Sequence, residues 1–488
     1  MRSSILLLAW FVLGAPVASG QIPDSEYAAR RAALLDRIDS GVVLAAGARD
    51  PIAHYPAFSQ LPAFRYLTGY LDPDAFLVLV KRGSGVSGTL LVPPTDLRAA
   101  LYSGRTTDPD ALARTTGLEV RYLEVLAPLL DSLARTSLPF YVIGDFVSNE
   151  FAADDSLSYM RALVRRLRDR YQWLETRDAT PFVDQLRARK SRSEQALLRK
   201  AAEISAQGHR SAMRMIAPGR TENEVQAEVE YAFRRLGGDG PAYASIVGSG
   251  PNSTTLHYDA GRRVLQNGEV VLMDVAAAYD GYAADVTRTV PVNGRFSPEQ
   301  RAIYQLVLEA QKASEQAIRP GVPAQLALDA IRGVLKAGLA RLGLIESADA
   351  GFDAPPGLCP ARPIFRGERE PCPQWYLFTY HGYSHGIGLD VHDPAQFSDV
   401  PAHTFQVGDA FTIEPGVYVR GNALEGLPDT PRNRAMIEKI RPAIERYRNI
   451  GVRIEDDYFV TETGLERVSP APREIAEIEA LMKPAKKR

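Results

Sequence analysis

Two stretches of the sequence repeat one pattern, and this repeat constrains the fold more than any other feature. Residues 268–274 and 408–414 each begin with a glycine and an acidic residue, continue as an apolar strand-like run and end in a carboxylate. The two copies are 140 residues apart. A second strand pattern with its own carboxylate follows each copy, Asp285 after the first and Glu455 after the second. The repeat predicts two duplicated hairpins that bring four carboxylates together about a pseudo-twofold axis.

Four carboxylates on facing strands cannot all stay ionised without cations, because burial and mutual repulsion both disfavour the charged form. Protons or metal ions must neutralise them. Taken singly, each would be an ordinary surface carboxylate at a strand end, but the duplicated placement favours a metal site. The candidate ligands are therefore Asp274, Asp285, Glu414 and Glu455.

Three of the seven histidines, His381, His385 and His392, lie within twelve residues of a glycine-rich segment. The glycines permit close approach of the backbone, and one imidazole there would complete a site of mixed nitrogen and oxygen ligands. A fourth, His257, lies in a turn-rich loop suited to the rim of an active site. His209 lies in no such context, and we assign it no functional role.

This donor set predicts both the kind of metal and the reaction. Oxygen-dominated ligation with one imidazole suits manganese, cobalt or zinc better than a metal that seeks thiolates. Four carboxylates can hold two ions about 3.5–4 Å apart, with a water between them activated as hydroxide. The natural chemistry is hydrolysis of an amide. Arg453 shares a strand face with Glu455 and is expected to orient a ligand carboxylate.

The rest of the chain divides into an export signal and two domains. Residues 1–20 combine a basic start, a short apolar run and small residues before Gln21, the pattern of a cleavable signal peptide. Residues 21–183 alternate short apolar strands with helical stretches, which predicts an α/β domain. Residues 184–488 form the expected catalytic domain, whose first long helix opens at a capping box of Ser191 and Glu194.

Charge, hydropathy and cysteine content narrow the function further. With 57 basic and 59 acidic residues, the chain lacks the basic excess of a general nucleic-acid binder, and no segment after the leader is apolar enough to span a membrane. Cys359 and Cys372, the only cysteines, bracket a proline-rich loop. The signal implies a periplasmic or secreted protein, and in that oxidising compartment we expect one disulfide rather than two free thiols.

The motifs around the candidate residues resemble those of one family. The matching segments are NSTTLH at 252–257, MD at 273–274, ADVTRT at 284–289, HGYSHGIGLDVH at 381–392, IEPGVY at 413–418 and GVRIED at 451–456. In this order they resemble the pita-bread metallopeptidases, and within them the aminopeptidase P and prolidase group, which acts at Xaa-Pro bonds. The resemblance implies an α/β N-terminal domain followed by an α+β pita-bread catalytic domain with the duplicated hairpins.

The resemblance also implies how the ligands divide between two metal ions. Asp274 would bind one ion, while His385 and Glu414 would bind the other. Asp285 and Glu455 would bridge both ions, and a hydroxide held between the ions would attack the scissile carbonyl.

Further roles follow from the same resemblance. His392 would stabilise the tetrahedral intermediate, and His257 and His381 would line the substrate pocket. Glu414 would shuttle a proton in addition to binding metal. Tyr418, at the end of the IEPGVY motif, is expected beside the ligands or the substrate.

The implied function is that of an Xaa-Pro aminopeptidase, which removes an N-terminal residue preceding proline. Two divalent ions would serve it, with manganese as the first expectation and cobalt or zinc as alternatives. The nearest rival is an Xaa-Pro dipeptidase of the prolidase type. A third hypothesis is a non-catalytic peptide-binding module, which the presence of all five ligands disfavours. The expected partners are proline-containing peptides, and the family implies a homodimer or homotetramer.

Overall fold

A computed structural model describes residues 21–50, 58–145, 158–359, 364–365, 368–394 and 403–483. The predicted signal peptide at 1–20 lies outside these residues. Within the described part of the chain, no helix combines the length and apolar character needed to cross a bilayer.

The N-terminal part of the chain forms a mixed six-stranded sheet. Its strands are β1 Gly41–Ala46, β2 Phe76–Arg82, β3 Gly85–Val92, β4 Glu119–Tyr122, β5 Phe140–Val142 and β6 Thr176–Asp178. The spatial order is β4-β3-β2-β1-β5-β6, with β1–β2 and β2–β3 antiparallel and the remaining pairs parallel. The strongly apolar β1 lies at its centre and is buried on both faces, as expected for a layered α/β fold.

Helices cover both faces of this sheet. The helices of this part are α1 Asp24–Leu35, α2 Pro62–Thr68, α3 Leu97–Ser103, α4 Pro109–Thr116, α5 Leu126–Ala134, α6 Tyr159–Arg170 and α7 Thr180–Arg187, and all but the exposed α3 contribute to the sheet's two apolar cores. One face buries Leu67 and Phe64 against the sheet, and the other buries Phe140 and Met160. Residues 183 and 184, where the sequence analysis divides the domains, lie inside α7.

Six further helices belong to the C-terminal part of the chain. They are α8 Arg192–Met215, α9 Glu222–Arg235, α10 Pro298–Ala317, α11 Ala324–Arg341, α12 Pro431–Arg446 and α13 Ile475–Leu481. The capping box predicted at Ser191 and Glu194 is present at the start of α8, and the same device opens α9 and α10. Helices α8 to α11 pack on a shared apolar core with the strands that carry the candidate ligands.

The strands of this part are short and mostly antiparallel. They are β7 Gly240–Pro241, β8 Ile246–Ser249, β9 Val270–Asp274, β10 Ala277–Tyr279, β11 Tyr282–Ala283, β12 Thr287–Pro291, β13 Gly351–Phe352, β14 Ile364–Phe365, β15 Glu368–Arg369, β16 Cys372–Pro373, β17 Ala410–Ile413, β18 Gly416–Val419, β19 Ile450–Arg453, β20 Asp456–Thr461 and β21 Gly464–Arg467. The first repeat pairs β9 with β12, and the second pairs β17 with β20 and β18 with β19. The predicted duplicated hairpins are therefore present.

Buried charges connect the two parts of the chain. Arg187, at the end of α7, donates to Asp393 at 2.6 Å and to Asp390 at 2.7 Å. Lys190 donates to the second oxygen of Asp393 at 2.9 Å. Asp393 directly follows His392, so α7, which packs with the helices on the N-terminal sheet, contacts the segment that carries the histidine cluster.

Candidate metal centre

The two hairpins meet at the ends of their strands, where the candidate ligands lie. In the first hairpin Asp274 pairs with Thr287. In the second, Ile413 pairs with Asp456 and Gly416 with Arg453, so this register places Glu414 opposite Glu455. The hairpins touch through these strands, because the amide of Glu455 donates to the carbonyl of Thr287 at 3.1 Å.

The backbone repeat does not place the second-strand carboxylates in equivalent positions. Thr287, opposite Asp274, is the counterpart of Glu455, and its hydroxyl donates to that carboxylate at 2.6 Å. Asp285, two residues earlier, is the counterpart of Arg453. The sequence suggested that Asp285 and Glu455 occupy equivalent positions in the two hairpins. The register shows instead that the first hairpin has Thr287 where the second has Glu455, and that the second has Arg453 where the first has Asp285. Sequence spacing alone could not show this, because the second hairpin carries a long insertion before its return strand.

His385 lies at the centre of the carboxylates. Its Nε2 lies 3.4 Å from Asp285 Oδ2, 3.4 Å from Glu414 Oε1 and 3.7 Å from Glu455 Oε1. Its Nδ1 lies 3.0 Å from the carbonyl of Gly386, which accepts a hydrogen bond only when the proton is on Nδ1. With Nδ1 alone protonated, the lone pair of Nε2 would face the carboxylates, the arrangement that a metal ligand requires.

The carboxylates resist simultaneous ionisation, as the sequence predicted. Burial, with the negative charges of Glu455 and Asp274, raises the pKa of Asp285 well above its usual range. Burial and the charge of Glu455 likewise raise the pKa of Glu414. Protonation of both groups would relieve the repulsion, and so would cations.

A divalent cation fits this donor set. Asp285, His385 and Glu455 each offer one ligand atom, and the three atoms lie within 4.8 Å of one another. Glu455 Oε1 is buried and has no hydrogen-bond partner among the described residues. Burying a carboxylate oxygen without a partner costs free energy unless a cation binds to it. The residues present therefore match the oxygen-rich site that the sequence predicted.

Arg453 balances part of the negative charge. Its guanidinium contacts Asp274, donates to the hydroxyl of Tyr418 at 2.9 Å and donates to Thr287 Oγ1 at 3.1 Å. Burial would raise the pKa of Asp274, but the positive charge of Arg453 and the hydrogen bonds from Tyr243 and Arg453 together outweigh burial and lower it. Asp274 therefore stays ionised, and its carboxylate is held in one orientation.

Tyr243 is a site residue that the sequence analysis missed. Its hydroxyl lies 2.6 Å from Asp274 Oδ1 and 2.6 Å from Asp285 Oδ1, where its proton can serve one carboxylate at a time. Burial, with the charges of both aspartates, raises the pKa of Tyr243 well above its usual range, so the hydroxyl keeps its proton. A lone tyrosine between β7 and β8 gave no sequence signal for this contact.

His381 is held in one neutral tautomer. Its Nδ1 lies 2.5 Å from the carbonyl of Gly382, and its Nε2 accepts from the hydroxyl of Tyr418 at 2.9 Å. Burial, with the charge of Arg453, lowers the pKa of His381 to about 3. His257 acts in the same direction, so its imidazole lies within electrostatic range of His381. Nδ1 of His381 also lies 3.6 Å from Glu414 Oε2.

The remaining predicted histidines lie at the edge of the cluster. The ring of His392 lies 4.3 Å from the ring of His385, measured between centroids. The side chain of His257 is exposed on the loop after β8. The structure therefore brings His381, His385 and His392 to the carboxylates and places His257 on the solvent side.

His209, to which the sequence analysis assigned no role, supports the centre from behind. It is fully buried on α8, and its Nε2 lies 3.0 Å from the carbonyls of both Val275 and Val286. Each of these valines directly follows a candidate ligand. His209 therefore connects the two strands of the first hairpin at the level of Asp274 and Asp285. Only the three-dimensional pairing of these strands reveals the role.

Cys359 and Cys372 are joined by a disulfide. Cys372 begins β16, which pairs with β13 and leads within nine residues to His381. Beside it, Asp353 accepts from Thr430 at 2.6 Å, at the start of α12. The disulfide segment and the insertion that contains α12 thus pack on one another beside the histidine segment.

Fold and donor set together define a metallopeptidase of the pita-bread architecture. Residues 196–462 match the model of metallopeptidase family M24, and residues 27–140 match that of the aminopeptidase P N-terminal domain. The chain belongs to metallopeptidase family M24 and is a metalloexopeptidase whose family implies divalent metal ions.

Named relatives support the same placement. The chain is 32% identical to the Xaa-Pro aminopeptidase of Escherichia coli, over 96% of this chain and all of that one. It is 32% identical to the Xaa-Pro aminopeptidase of Haemophilus influenzae, over 88% and 89%. Its structure is similar to that of E. coli aminopeptidase P with the inhibitor Pro-Leu, at a TM-score of 0.76 and 31% identity over 95% and 99% of the chains. Zinc-substituted E. coli aminopeptidase P with product gives a TM-score of 0.77 and 30% identity over 96% and 100%.

Proposed function

We propose that this protein is an exported Xaa-Pro aminopeptidase with a two-metal centre. The observation that carries the proposal is the convergence of both hairpins on His385, whose Nε2 lies within 3.7 Å of three carboxylates. The relatives that match nearly the whole chain are Xaa-Pro aminopeptidases, which supports the substrate class.

The five candidate ligands divide between two ions in the way the family resemblance implies. Asp274 would hold one ion, and His385 with Glu414 the other. Asp285 and Glu455 would bridge, in agreement with their position on the two hairpins that meet at the centre. Manganese is the proposed metal because oxygen donors dominate the set, with cobalt and zinc as alternatives.

When bound, the ions supply Lewis-acid activation of the attacking water and of the scissile carbonyl. The chain's own residues position the groups around them. Arg453 fixes the carboxylate of Asp274, and Tyr418 fixes the neutral tautomer of His381. A neutral His381 can face substrate without the desolvation cost of a buried imidazolium.

Proton transfer is assigned to Glu414. Water attacks the carbonyl carbon, the C–N bond to proline breaks, and a proton must reach the prolyl nitrogen. Glu414 is proposed to take the proton from water and deliver it to that nitrogen, as a carboxylate placed beside the reacting atoms can do. His392, beside His385, is proposed to stabilise the oxyanion of the tetrahedral intermediate.

Selection for proline rests on shape. An Xaa-Pro bond is a tertiary amide without an N–H, so the site cannot recognise it through that donor. An apolar pocket that fits the pyrrolidine ring must select it instead. His257 and His381 are proposed to line this pocket.

The remaining proposals concern location and assembly. The pattern of residues 1–20 supports removal of a signal peptide and export to the periplasm or the medium. The disulfide between Cys359 and Cys372 agrees with an oxidising compartment. A homodimer or homotetramer is proposed from the family resemblance.

A comparison of peptide lengths tests the proposed function. The manganese-loaded protein is assayed with an Xaa-Pro dipeptide, with Xaa-Pro-Yaa peptides of increasing length, and with Xaa-Ala-Yaa peptides as matched controls. We expect release of the first residue from the longer proline peptides and little release from the alanine controls. Activity on the dipeptide alone would assign the protein to the prolidase type. No hydrolysis by metal-loaded protein would favour the non-catalytic module.

A further inference from the structure

Glu222 is a fully buried carboxylate that lies outside the metal cluster. It is the first residue of α9 and has no exposed surface. The cap of this helix is already complete without it, because Thr221 and Glu224 form the capping box. The side chain of Glu222 is therefore free for another role, and it turns toward the loop that carries His257.

Five donors from the end of β8 and from that loop satisfy Glu222. Its Oε1 accepts from the amide and hydroxyl of Ser249, at 2.7 and 2.8 Å, and from Asn252 Nδ2 at 3.0 Å. Its Oε2 accepts from the hydroxyl of Tyr258 at 3.0 Å and from the amide of Gly261 at 3.4 Å. Such a donor set offsets the cost of burying a carboxylate. The donors lie on both sides of His257, so one carboxylate sets the shape of the whole loop.

Arg263 reinforces this arrangement through Ser249. Arg263 Nη1 donates to the hydroxyl oxygen of Ser249 at 2.6 Å and to Glu269 at 2.7 Å. With its oxygen engaged by Arg263, the Ser249 hydroxyl directs its proton to Glu222. The charge of Arg263 is paired with Glu269, so Glu222 is held by loop donors and by no direct ion pair with this arginine.

The opposite side of the loop is attached to the catalytic strands. The amide of Gly451, in β19, donates to Ser253 Oγ at 2.9 Å. A side chain at Gly451 would meet the Ser253 carbonyl, since a Cβ there would lie 2.0 Å from that oxygen. Tyr380, which precedes His381, donates to the carbonyl of Thr254 at 3.0 Å. The loop thus bridges α9 and the strands that carry Arg453 and the metal ligands.

We propose that Glu222 is a positioning residue that holds the His257 loop against the substrate side of the metal centre. The inference rests on the proposed function for the part that His257 plays in catalysis. Glu222 touches neither a candidate ligand nor the centre itself, so its loss should leave metal binding intact. It should instead misplace His257, and an error of about 1 Å in such a group costs up to about a hundredfold in rate.

A double-mutant cycle tests this role. Glu222→Gln keeps the shape of the side chain but places an amide against at least one donor that cannot accept, such as Ser249 N or Gly261 N. We expect it to lower kcat/KM about ten- to a hundredfold. Combined with His257→Ala, it should lower kcat/KM by less than about twofold beyond the His257→Ala value, because its effect passes through His257. Independent, multiplicative losses would overturn the proposal.

Controls separate this role from general destabilisation. Glu230→Gln makes the same change elsewhere on α9, where the carboxylate accepts only from Gln226 in the contacts seen here, and should leave kcat/KM unchanged. Metal content measured by atomic spectroscopy should match wild type in Glu222→Gln. Should Glu222→Gln fail to fold, Tyr258→Phe removes one hydrogen-bond donor to Glu222 and replaces Glu222→Gln in the double-mutant cycle with His257→Ala.

Hydrogen exchange separates failure of this proposal from failure of the proposed function. In Glu222→Gln, amide exchange should accelerate in residues 249–261 and stay at the wild-type rate in β9 and β17. Unchanged exchange in 249–261 would overturn the positioning role whatever the enzyme's activity. If Glu222→Gln accelerates exchange in residues 249–261 but the wild-type protein hydrolyses no Xaa-Pro peptide, the positioning role of Glu222 is retained and the proposed function is rejected.

Discussion

Arg453 occupies in the second hairpin the register position that Asp285 occupies in the first. The two hairpins therefore share a backbone but divide the chemistry between them. The first hairpin contributes Asp285, whose carboxylate lies 3.4 Å from His385 Nε2. The second contributes Arg453, whose guanidinium contacts Asp274. This exchange of a carboxylate for a guanidinium gives the two aspartates of the first hairpin opposite electrostatic environments.

The opposite environments predict opposite stability effects for two matched substitutions. Asp285→Asn removes a charge that burial and neighbouring carboxylates disfavour, so it should raise the Tm of the metal-free protein. Asp274→Asn removes the partner of the buried Arg453, so it should lower the unfolding free energy by about 3–5 kcal/mol. The Tm of the metal-free protein should fall accordingly. Thermal melts in the presence of a chelator measure both.

Activity should respond to these variants in one direction only. Both substitutions remove a proposed metal ligand, so hydrolysis and metal content should fall for each. A metal-free Asp285→Asn protein less stable than wild type would contradict the electrostatic account. Near-normal turnover in that variant would show that Asp285 is not a bridging ligand.

His209, which is not a candidate metal ligand, predicts a pH dependence of stability. Burial lowers its pKa to about 4, below an unfolded value of about 6.5. The folded state binds the proton less well, so the contribution of neutral His209 is complete above about pH 6.5 and is lost as pH falls toward 4. The loss should reach about 3 kcal/mol.

A comparison with His209→Gln isolates this effect. Glutamine can donate to the carbonyls of Val275 and Val286 and does not titrate. Denaturant unfolding at pH 8 gives the cost of the replacement itself, and the same measurement near pH 4 gives the titration. Stability curves for wild type and His209→Gln that remain parallel between pH 8 and pH 4 would refute the assignment.

The repeat and the histidine segment identified the fold and most of the cluster because each depends on local pattern. The alternation of apolar residues and the terminal carboxylates of 268–274 and 408–414 determine strands that end at the centre. Capping boxes such as that of Ser191 predicted helix starts to the residue. Signals of this kind lie within a few residues of one another.

Contacts between distant segments could not be predicted in this way. Tyr243 reaches Asp274 and Asp285 from the segment between β7 and β8, His209 reaches the carbonyls of Val275 and Val286 from α8, and neither residue stands in a recognisable motif. The insertion at 421–448 contains α12, whose start contacts Asp353. Register across long insertions is set by packing, which sequence spacing does not encode.

The disulfide predicts a redox-dependent stability. Cys359 and Cys372 close a loop of 13 residues in sequence separation, so removing the bond should cost about 3 kcal/mol of unfolding free energy. Cys359→Ala with Cys372→Ala should melt at a lower temperature than oxidised wild type. Wild type treated with reductant is the control and should melt close to the variant, while equal melting of oxidised and reduced wild type would contradict the expected stabilisation.

The buried ion pairs of Asp393 with Arg187 and Lys190 predict a coupling between stability and catalysis. Burial would raise its pKa, but Arg187 and Lys190 outweigh burial and lower it, so Asp393 is ionised against two cations. Asp393→Asn leaves both cations without a full counter-charge and should lower the unfolding free energy by about 3–5 kcal/mol. Because Asp393 follows His392, kcat should fall as well, even at temperatures where the variant is folded.

Asp390→Asn is the matched control, since Asp390 also accepts from Arg187 but its side chain is 20% exposed. Solvent can replace part of its interaction, so the loss of stability should be clearly smaller than for Asp393→Asn. Urea unfolding and steady-state kinetics at a temperature where all variants are folded measure the two effects. Equal losses of stability for the two variants would show that burial does not set the strength of this cluster. An unchanged kcat in folded Asp393→Asn would show that the cluster does not position His392.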